Sequence, residues 1–217
     1  KKFKGSFKLE KSCARVIFNY YNGKFSDYYK KLTNLLDKAD SGDFSIQDIK
    51  EDIPLFQLNF FLLLYPFKKT ERKKILKKIF NLILQEKSIK AITQDKQISK
   101  FLDNFKKLNQ ESLNFTKNKS KVKNQILIVD SSNKLRVFNM FQIYLHFPKI
   151  KYLFFFNKKE KCLGALLTKN KFNKFKHKNL GNICKKYGGL GHKEIGGFSL
   201  NKKDKNKIIK DIITQLI

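Results

Sequence analysis

The chain has 217 residues, enough for one or two domains, and its 41% of apolar residues excludes a chain disordered throughout. With 48 Lys and Arg against 18 Asp and Glu the formal charge is +30, which disfavours cationic partners and suits polyanions such as nucleic acid or polyphosphate. A genome rich in A and T also favours Lys, Asn, Ile and Phe codons, so the charge reads equally as a polyanion-drawing surface or as codon drift in a chain without Trp. Lys1 to Lys11 leads into no sustained apolar run, and no stretch of about 18 uninterrupted apolar residues occurs, so the reading is cytoplasmic with no membrane partner. Cys13, Cys162 and Cys184 lack metal-ligand spacing and read as small core residues in a reducing compartment.

In chain order, Gly5 to Ser12 reads as a loop with Ser12 as helix N-cap, followed by an amphipathic helix from Cys13 to Tyr21. A second helix, Tyr28 to Ala39, carries Tyr28, Tyr29, Leu32, Leu35 and Leu36 on its apolar face. Asp37, Asp40 and Asp43 then place three carboxylates within seven residues, a pattern that suits Mg²⁺ or Mn²⁺ but is more often a solvated loop or a helix cap. Gln47 to Phe67, stopped at Tyr65-Pro66, reads as core helices. Lys68 to Lys119 holds two helical patterns, the first with Ile75, Leu76, Ile79, Phe80 and Ile83 inside, the second with Ile98, Phe101, Leu102, Phe105 and Leu108. The lysines of that stretch, Lys77 among them, read as a solvated face rather than a polyanion path.

After the polar run Lys117 to Lys121, Gln125 to Val129 is a buried strand, with Lys134 to Phe138 as its hairpin partner across Asp130 to Asn133. Met140 to Leu145 is a helix, Lys151 to Phe156 and Lys161 to Leu167 are strands around a turn at Asn157 to Glu160, and Ile195 to Leu200 completes a sheet of about five strands. The last helix, Asp204 to Ile217, sets Ile208, Ile209, Ile212, Ile213 and Leu216 on one side. Residues 120–217 form a compact α/β domain of a size that folds alone.

Five of the ten glycines fall between Gly188 and Gly197, after a short helix over Asn179 to Tyr187 with Leu180, Ile183 and Cys184 on one face. Glycines let a backbone take positive φ and let a ligand approach its amides, and His192 set among them can hold an anion such as phosphate. A glycine-rich turn between helix and strand is an equal reading.

The run from Leu180 to Phe198, Leu-Gly-x-Ile-Cys-x-x-Tyr-Gly-Gly-x-Gly-His-Lys-x-x-Gly-Gly-Phe, resembles the C-terminal substrate-binding domain of the DHH phosphoesterase superfamily, exopolyphosphatase-like and nanoRNase-like enzymes among them. The resemblance implies that Gly188, Gly189, Gly191 and His192 grip the phosphate end of a substrate across a cleft from a metal site, with Lys169 or Lys171 assisting. Asp40-Ser41-Gly42 with Phe44 is similar to the segment that closes the metal-binding half, which makes Asp40 the implied ligand and Asp37 and Asp43 the second choices. The implied chemistry is hydrolysis of phosphodiester or phosphoanhydride bonds in short oligonucleotides, cyclic dinucleotides or polyphosphate, with two Mn²⁺ or Mg²⁺ ions activating water. The implied division is 1–67 as the end of a metal domain, mainly helical, 68–119 as a helical connector, and 120–217 as the substrate-binding domain.

The Asp-x-Asp and Asp-His-His motifs of that superfamily do not occur, and His146, His177 and His192 stand alone, His177 in a lysine-rich loop where it reads as solvent-exposed. Gly5 to Tyr21 looks like the segment that follows Asp-His-His, and the only methionine is Met140, so the chain reads either as a partial one or as a protein that has lost most of its metal ligands. No catalytic residue is assigned. The alternative function is a non-catalytic module for RNA or a phosphorylated ligand, like the related domain that contacts tRNA at the end of alanyl-tRNA synthetases. Homo-oligomerisation stays open.

Overall fold

The computed structural model describes residues 9–21, 24–131, 138–156, 163–200 and 205–217, and it divides into two compact units, Lys1–Phe105 and Lys106–Ile217. Helices combined with one mixed sheet are the α/β class that the sequence predicts.

The first unit is helical: α1 (Cys13–Tyr20), α2 (Asp27–Asp40), α3 (Ile46–Lys50), α4 (Pro54–Leu64), α5 (Lys69–Leu84), α6 (Ile89–Thr93) and the first part of α7 (Lys96–Lys119). Local chemistry sets the starts. Ser12 caps α1, its Oγ accepting from the Arg15 amide at 3.1 Å, Ser45 and Asp48 form a capping box on α3, and Pro54 opens α4 where no intrahelical N–H is needed. α4 carries much of the core: Leu55, Phe56, Leu58, Phe60 and Phe61 are buried, with the Phe44 ring against Phe56 and Phe60, while Leu63 is exposed. No helix among the described residues is long and apolar enough to cross a membrane.

Three side-chain placements in this unit depart from expectation. On α5, Ile75 and Ile79 form a buried i, i+4 stripe but Leu76 and Phe80, each about 100° further round the helix, are exposed. On α2, Leu32, Thr33 and Asp37 are buried while Leu35 and Leu36 are exposed, since Asp37 is drawn inward by Arg15 and Ser12. Cys13, expected in the core, is exposed at the start of α1.

The second unit is a six-stranded sheet in the order β1-β2-β3-β4-β6-β5, where β1 is Lys121–Lys123, β2 Ile126–Asp130, β3 Tyr152–Phe156, β4 Leu163–Lys169, β5 Leu190–Gly191 and β6 Ile195–Leu200. β2 and β3 are parallel and every other pair is antiparallel. Alternation along the strands separates two cores. Ile126, Tyr152, Phe154, Phe156, Leu167 and Phe198 face α9 (Leu180–Lys185) and α10 (Lys205–Leu216), while Leu127, Val129 and Leu153 pack with Leu113 of α7 and with Ile143 and Tyr144 of α8 (Met140–His146). The unit is therefore three layers, with the sheet in the middle.

The sheet differs from the expected one at its rims. β1 and β5 are strands beyond those the pattern predicts, and among the described residues β2 is flanked by β1 on one side and β3 on the other. Residues 134–137 of the expected hairpin partner of β2 lie outside the described residues, as do the loop residues 5–8, the turn at 157–160, Lys161 and Cys162 at the expected start of β4, and Asp204.

Candidate functional site

β3 begins, β4 ends and β6 begins at one end of the sheet: Tyr152 is in register with Lys169, and Thr168 with Ile195. That register gathers Lys151, Lys169 and Glu194, which are far apart in sequence. The Lys169 amide donates to the Glu194 carbonyl at 3.0 Å, and its Nζ forms an ion pair with Glu194 Oε1 at 2.5 Å.

Past Lys169 the chain crosses the same end in an irregular segment. Asn170 is fully buried and anchors it, Nδ2 donating to the Ile150 carbonyl at 3.1 Å and Oδ1 accepting from the Phe172 amide at 3.1 Å. At the far end of the segment the Lys178 amide donates to the Tyr152 hydroxyl at 2.9 Å. Between these anchors His177 is half-buried, edge-on to the Tyr152 ring at 5.6 Å, and Lys151 Nζ sits 4.7 Å from the centre of the Phe175 ring. Lys171, the second choice for a phosphate ligand, lies 4.9 Å from the centre of the Phe141 ring.

Asn179 caps α9 through its side chain, and the helix is bound to the following hairpin at once: the Leu180 amide donates to the Lys193 carbonyl and the Gly181 amide to the His192 carbonyl. The glycines make this approach possible. A Cβ on Gly181 would lie 2.6 Å from the Gly191 carbonyl oxygen, and one on Gly196 would lie 2.6 Å from Cys184 Sγ. Gly188 has φ +72 and ends the helix in the left-handed conformation. The Gly188 and Gly189 amides donate to the carbonyls of Lys185 and Cys184.

His192 stands exposed at the tip of the β5–β6 hairpin. Its amide donates to the Ile195 carbonyl at 2.9 Å, and its Nδ1 accepts from the Glu194 amide at 3.3 Å, which leaves the hydrogen of the neutral ring on Nε2. Glu194 thus touches both His192 and Lys169. The hydrogen bond from Lys169 holds the Glu194 carboxyl below its ordinary range against the opposing effect of burial, with Lys169, His192 and His177 adding attraction. Burial depresses His177, and the charges of Lys169 and Lys151 act in the same direction. Its Nδ1 is buried without a hydrogen-bond partner among the described residues, while Nε2 lies 3.4 Å from the Asn173 carbonyl oxygen. His177 is therefore not the solvent-exposed residue that the lysine-rich loop suggests. Lys169, His177 and His192 act on the Glu194 carboxylate and Lys151 acts on His177, so the two lysines make this end of the sheet attract anions.

The residues expected as metal ligands lie in the first unit. Asp37 is buried and accepts from Ser12 Oγ at 2.6 Å, Arg15 Nε at 2.9 Å and Arg15 Nη2 at 2.6 Å. Burial opposes the charged form, but these bonds and the charges of Arg15 and Lys11 hold its carboxyl below the ordinary range. Asp40, the last residue of α2, is exposed at an open hollow of about 490 Å³ with Ser12, Cys13, Leu36, Asn59 and Leu63. Asp43 lines a different hollow of about 360 Å³ that also holds Lys11, Arg15 and Lys38. Among the described residues no three His, Cys, Asp or Glu side chains come together to hold a metal ion, so they do not fit the two-metal centre that the resemblance implies.

No family model and no curated protein matches the sequence. Among solved structures, the pGpG-specific phosphodiesterase PggH from Vibrio cholerae superposes with a TM-score of 0.76 at 21% identity, over 94% of this chain and 72% of that one. The chain has the PggH fold. An exopolyphosphatase-related protein from Bacteroides fragilis aligns with a TM-score of 0.40 and 12% identity, over 63% of this chain and 43% of that one, and an uncharacterised protein from Helicobacter pylori with 0.28 and 11%, over 93% and 65%. At those scores only the PggH fold bears on the architecture, and it spans helices and sheet alike.

Sequence reasoning picked out His192 and Lys169 but passed over Lys151, His177 and Glu194. The signal for His177 is the density of basic and aromatic residues in Lys169 to Lys178, directly after a strand and before the glycine helix, whereas Lys151 and Glu194 are brought in by strand register alone.

Proposed function

We propose that the chain belongs to a phosphodiesterase of the DHH type and that its second unit binds a short linear dinucleotide by its phosphates at the basic end of the sheet. The observation that carries this reading is the fold shared with a pGpG-specific phosphodiesterase over 94% of the chain. It is supported by the convergence of Lys151, Lys169 and His192 on that end, where the sequence motif and the charge pattern coincide. Lys169 supplies a point charge, and His192 Nε2–H a directed donor set by the hairpin. In intact members of the superfamily, metal ions supply the activated water. The described residues of this chain hold and orient the phosphate, and no hydrolytic step is assigned to them.

A second reading, a non-catalytic module for RNA or a phosphorylated ligand, is favoured by one observation: Asp37, the only buried carboxylate of the acidic segment, is engaged by Arg15 and Ser12. Calorimetric titration with pGpG, followed by chromatography for released GMP with and without Mn²⁺, tests both. Binding with hydrolysis supports the enzyme, binding without hydrolysis supports the module, and no binding of pGpG overturns the reading.

A further inference from the structure

We infer that Glu194 is the resident anion of the Lys169 site, and that a ligand phosphate enters by displacing its carboxylate. The inference rests on the proposed function and concerns how that same site is regulated.

Lys169 and Glu194 are held differently. The Lys169 side chain is 18% exposed and rises from the end of β4, where its backbone is paired with both Tyr152 and Glu194, so the ammonium group has a fixed origin. The Glu194 side chain is 53% exposed on the hairpin tip, and only its terminal carboxylate meets Lys169. Rotation about its side-chain bonds carries that carboxylate into water without moving the sheet, whereas the more enclosed Lys169 side chain has less room to turn away. An arriving phosphate therefore finds the better-held cation with a removable counter-ion.

The lysine and the imidazoles facing Glu194 give the exchange its direction. Lys169 from β4, His177 from the irregular segment and His192 from the hairpin all act on its carboxylate. Lys151 at the start of β3 acts on His177 beside it. An anion of higher charge than a carboxylate gains more from this group, and a terminal phosphate carries about −1.5 to −2 at neutral pH. The resident carboxylate lowers the affinity for every anion that uses Lys169, and it keeps the lysine neutralised between ligands. Such a site holds phosphorylated ligands reversibly and stays indifferent to simple salt anions.

Titration with pGpG at several salt concentrations tests this on wild type, Glu194→Gln, Lys169→Gln and the double variant. Glu194→Gln should bind about threefold to fivefold tighter, the range that loss of a partly exposed ion pair allows. Its affinity should also fall more steeply with salt, because binding now neutralises a cation that was not neutralised before. In the Lys169→Gln background the same change should bring no gain. If wild type binds pGpG and Glu194→Gln binds no tighter, or if the gain persists without Lys169, the inference is overturned and the proposed function stands. If neither wild type nor Glu194→Gln binds pGpG, the proposed function fails and takes the inference with it. Melting temperatures of the four proteins identify any variant that fails to fold, and Glu194→Asp, whose shorter carboxylate reaches Lys169 less well, should bind with intermediate affinity.

Discussion

Gly181 of α9 lies against Gly191 of β5 so closely that a Cβ on Gly181 would come within 2.6 Å of the Gly191 carbonyl oxygen and 2.9 Å of the His192 nitrogen. The obstacle is backbone, which cannot swing aside as a flexible side chain can. Gly181→Ala is therefore expected to destabilise the second unit by about 1–3 kcal/mol, the usual cost of overpacking. Gly188→Ala meets nothing within 4 Å and is strained only by its φ of +72, so its expected cost is about 1 kcal/mol. Urea denaturation of both variants checks the ordering. Only Gly181→Ala should also weaken pGpG binding, because it pushes on the hairpin that carries His192.

Asp37→Ala removes the partner of the Arg15 guanidinium, the two side chains being 10% and 21% exposed. The expected loss is about 1.5–3 kcal/mol, the range for hydrogen bonds to charged groups, because Arg15 borders an open hollow where water reaches its guanidinium. The folded-state pKa of Asp37 is lowered, so its contribution is complete above the ordinary carboxylate value near 3.8 and disappears as pH falls through the lower folded value. Acid unfolding of wild type and Asp37→Ala should therefore converge at the acid end, whereas at neutral pH the wild type should be clearly more stable.

His177 moves in the opposite chemical sense with the same pH direction. Its folded pKa lies below the ordinary 6.5, so the unfolded chain takes up the proton first. The associated stability is complete above 6.5 and declines as the solution is acidified from there. In thermal melts, His177→Gln should flatten the fall in stability between about pH 6.5 and 5. An unchanged slope would show that the ring titrates as if it were free.

Cys184 is buried on the core face of α9 and burial pushes its thiol up to about 11, while Cys13 is exposed. N-ethylmaleimide at neutral pH should label Cys13 rapidly and Cys184 only after denaturant is added, since the thiolate is the reacting form. Peptide mapping reads the two sites separately, and also separates Cys162, which lies outside the described residues.

The fold was most legible where burial imposes a period. β3, β6 and α10 stand close to where their apolar patterns place them, β3 as a continuous apolar run buried on both faces and α10 with one face against a core. β1 was hidden because all three of its residues are exposed, and β5 because two residues carry no period at all. In the acidic segment the sequence brings Asp37, Asp40 and Asp43 together, yet their environments are decided elsewhere. Arg15 lies 22 residues upstream of Asp37, and that pairing leaves no local trace. The same holds for Lys169 and Glu194, whose meeting depends on the register between β4 and β6. The motif marks the glycine loop, but the counter-ion within it occupies a position that the motif leaves blank.

The rims of the sheet have a consequence for how the protein behaves in crowded solution. An open sheet offers unpaired amides and carbonyls at its outermost strands, and a neighbouring molecule can extend it there. Here one outermost strand is the three residues Lys121–Lys123, with a lysine at either end, and the other is the two residues Leu190–Gly191. A foreign strand docking at either rim would gain only a few hydrogen bonds, and at β1 it would also crowd two ammonium groups. Growth of ribbons or fibrils by strand addition thus has very little to template it, and the protein should stay dispersed at concentrations where sheets with long, uncharged outer strands precipitate.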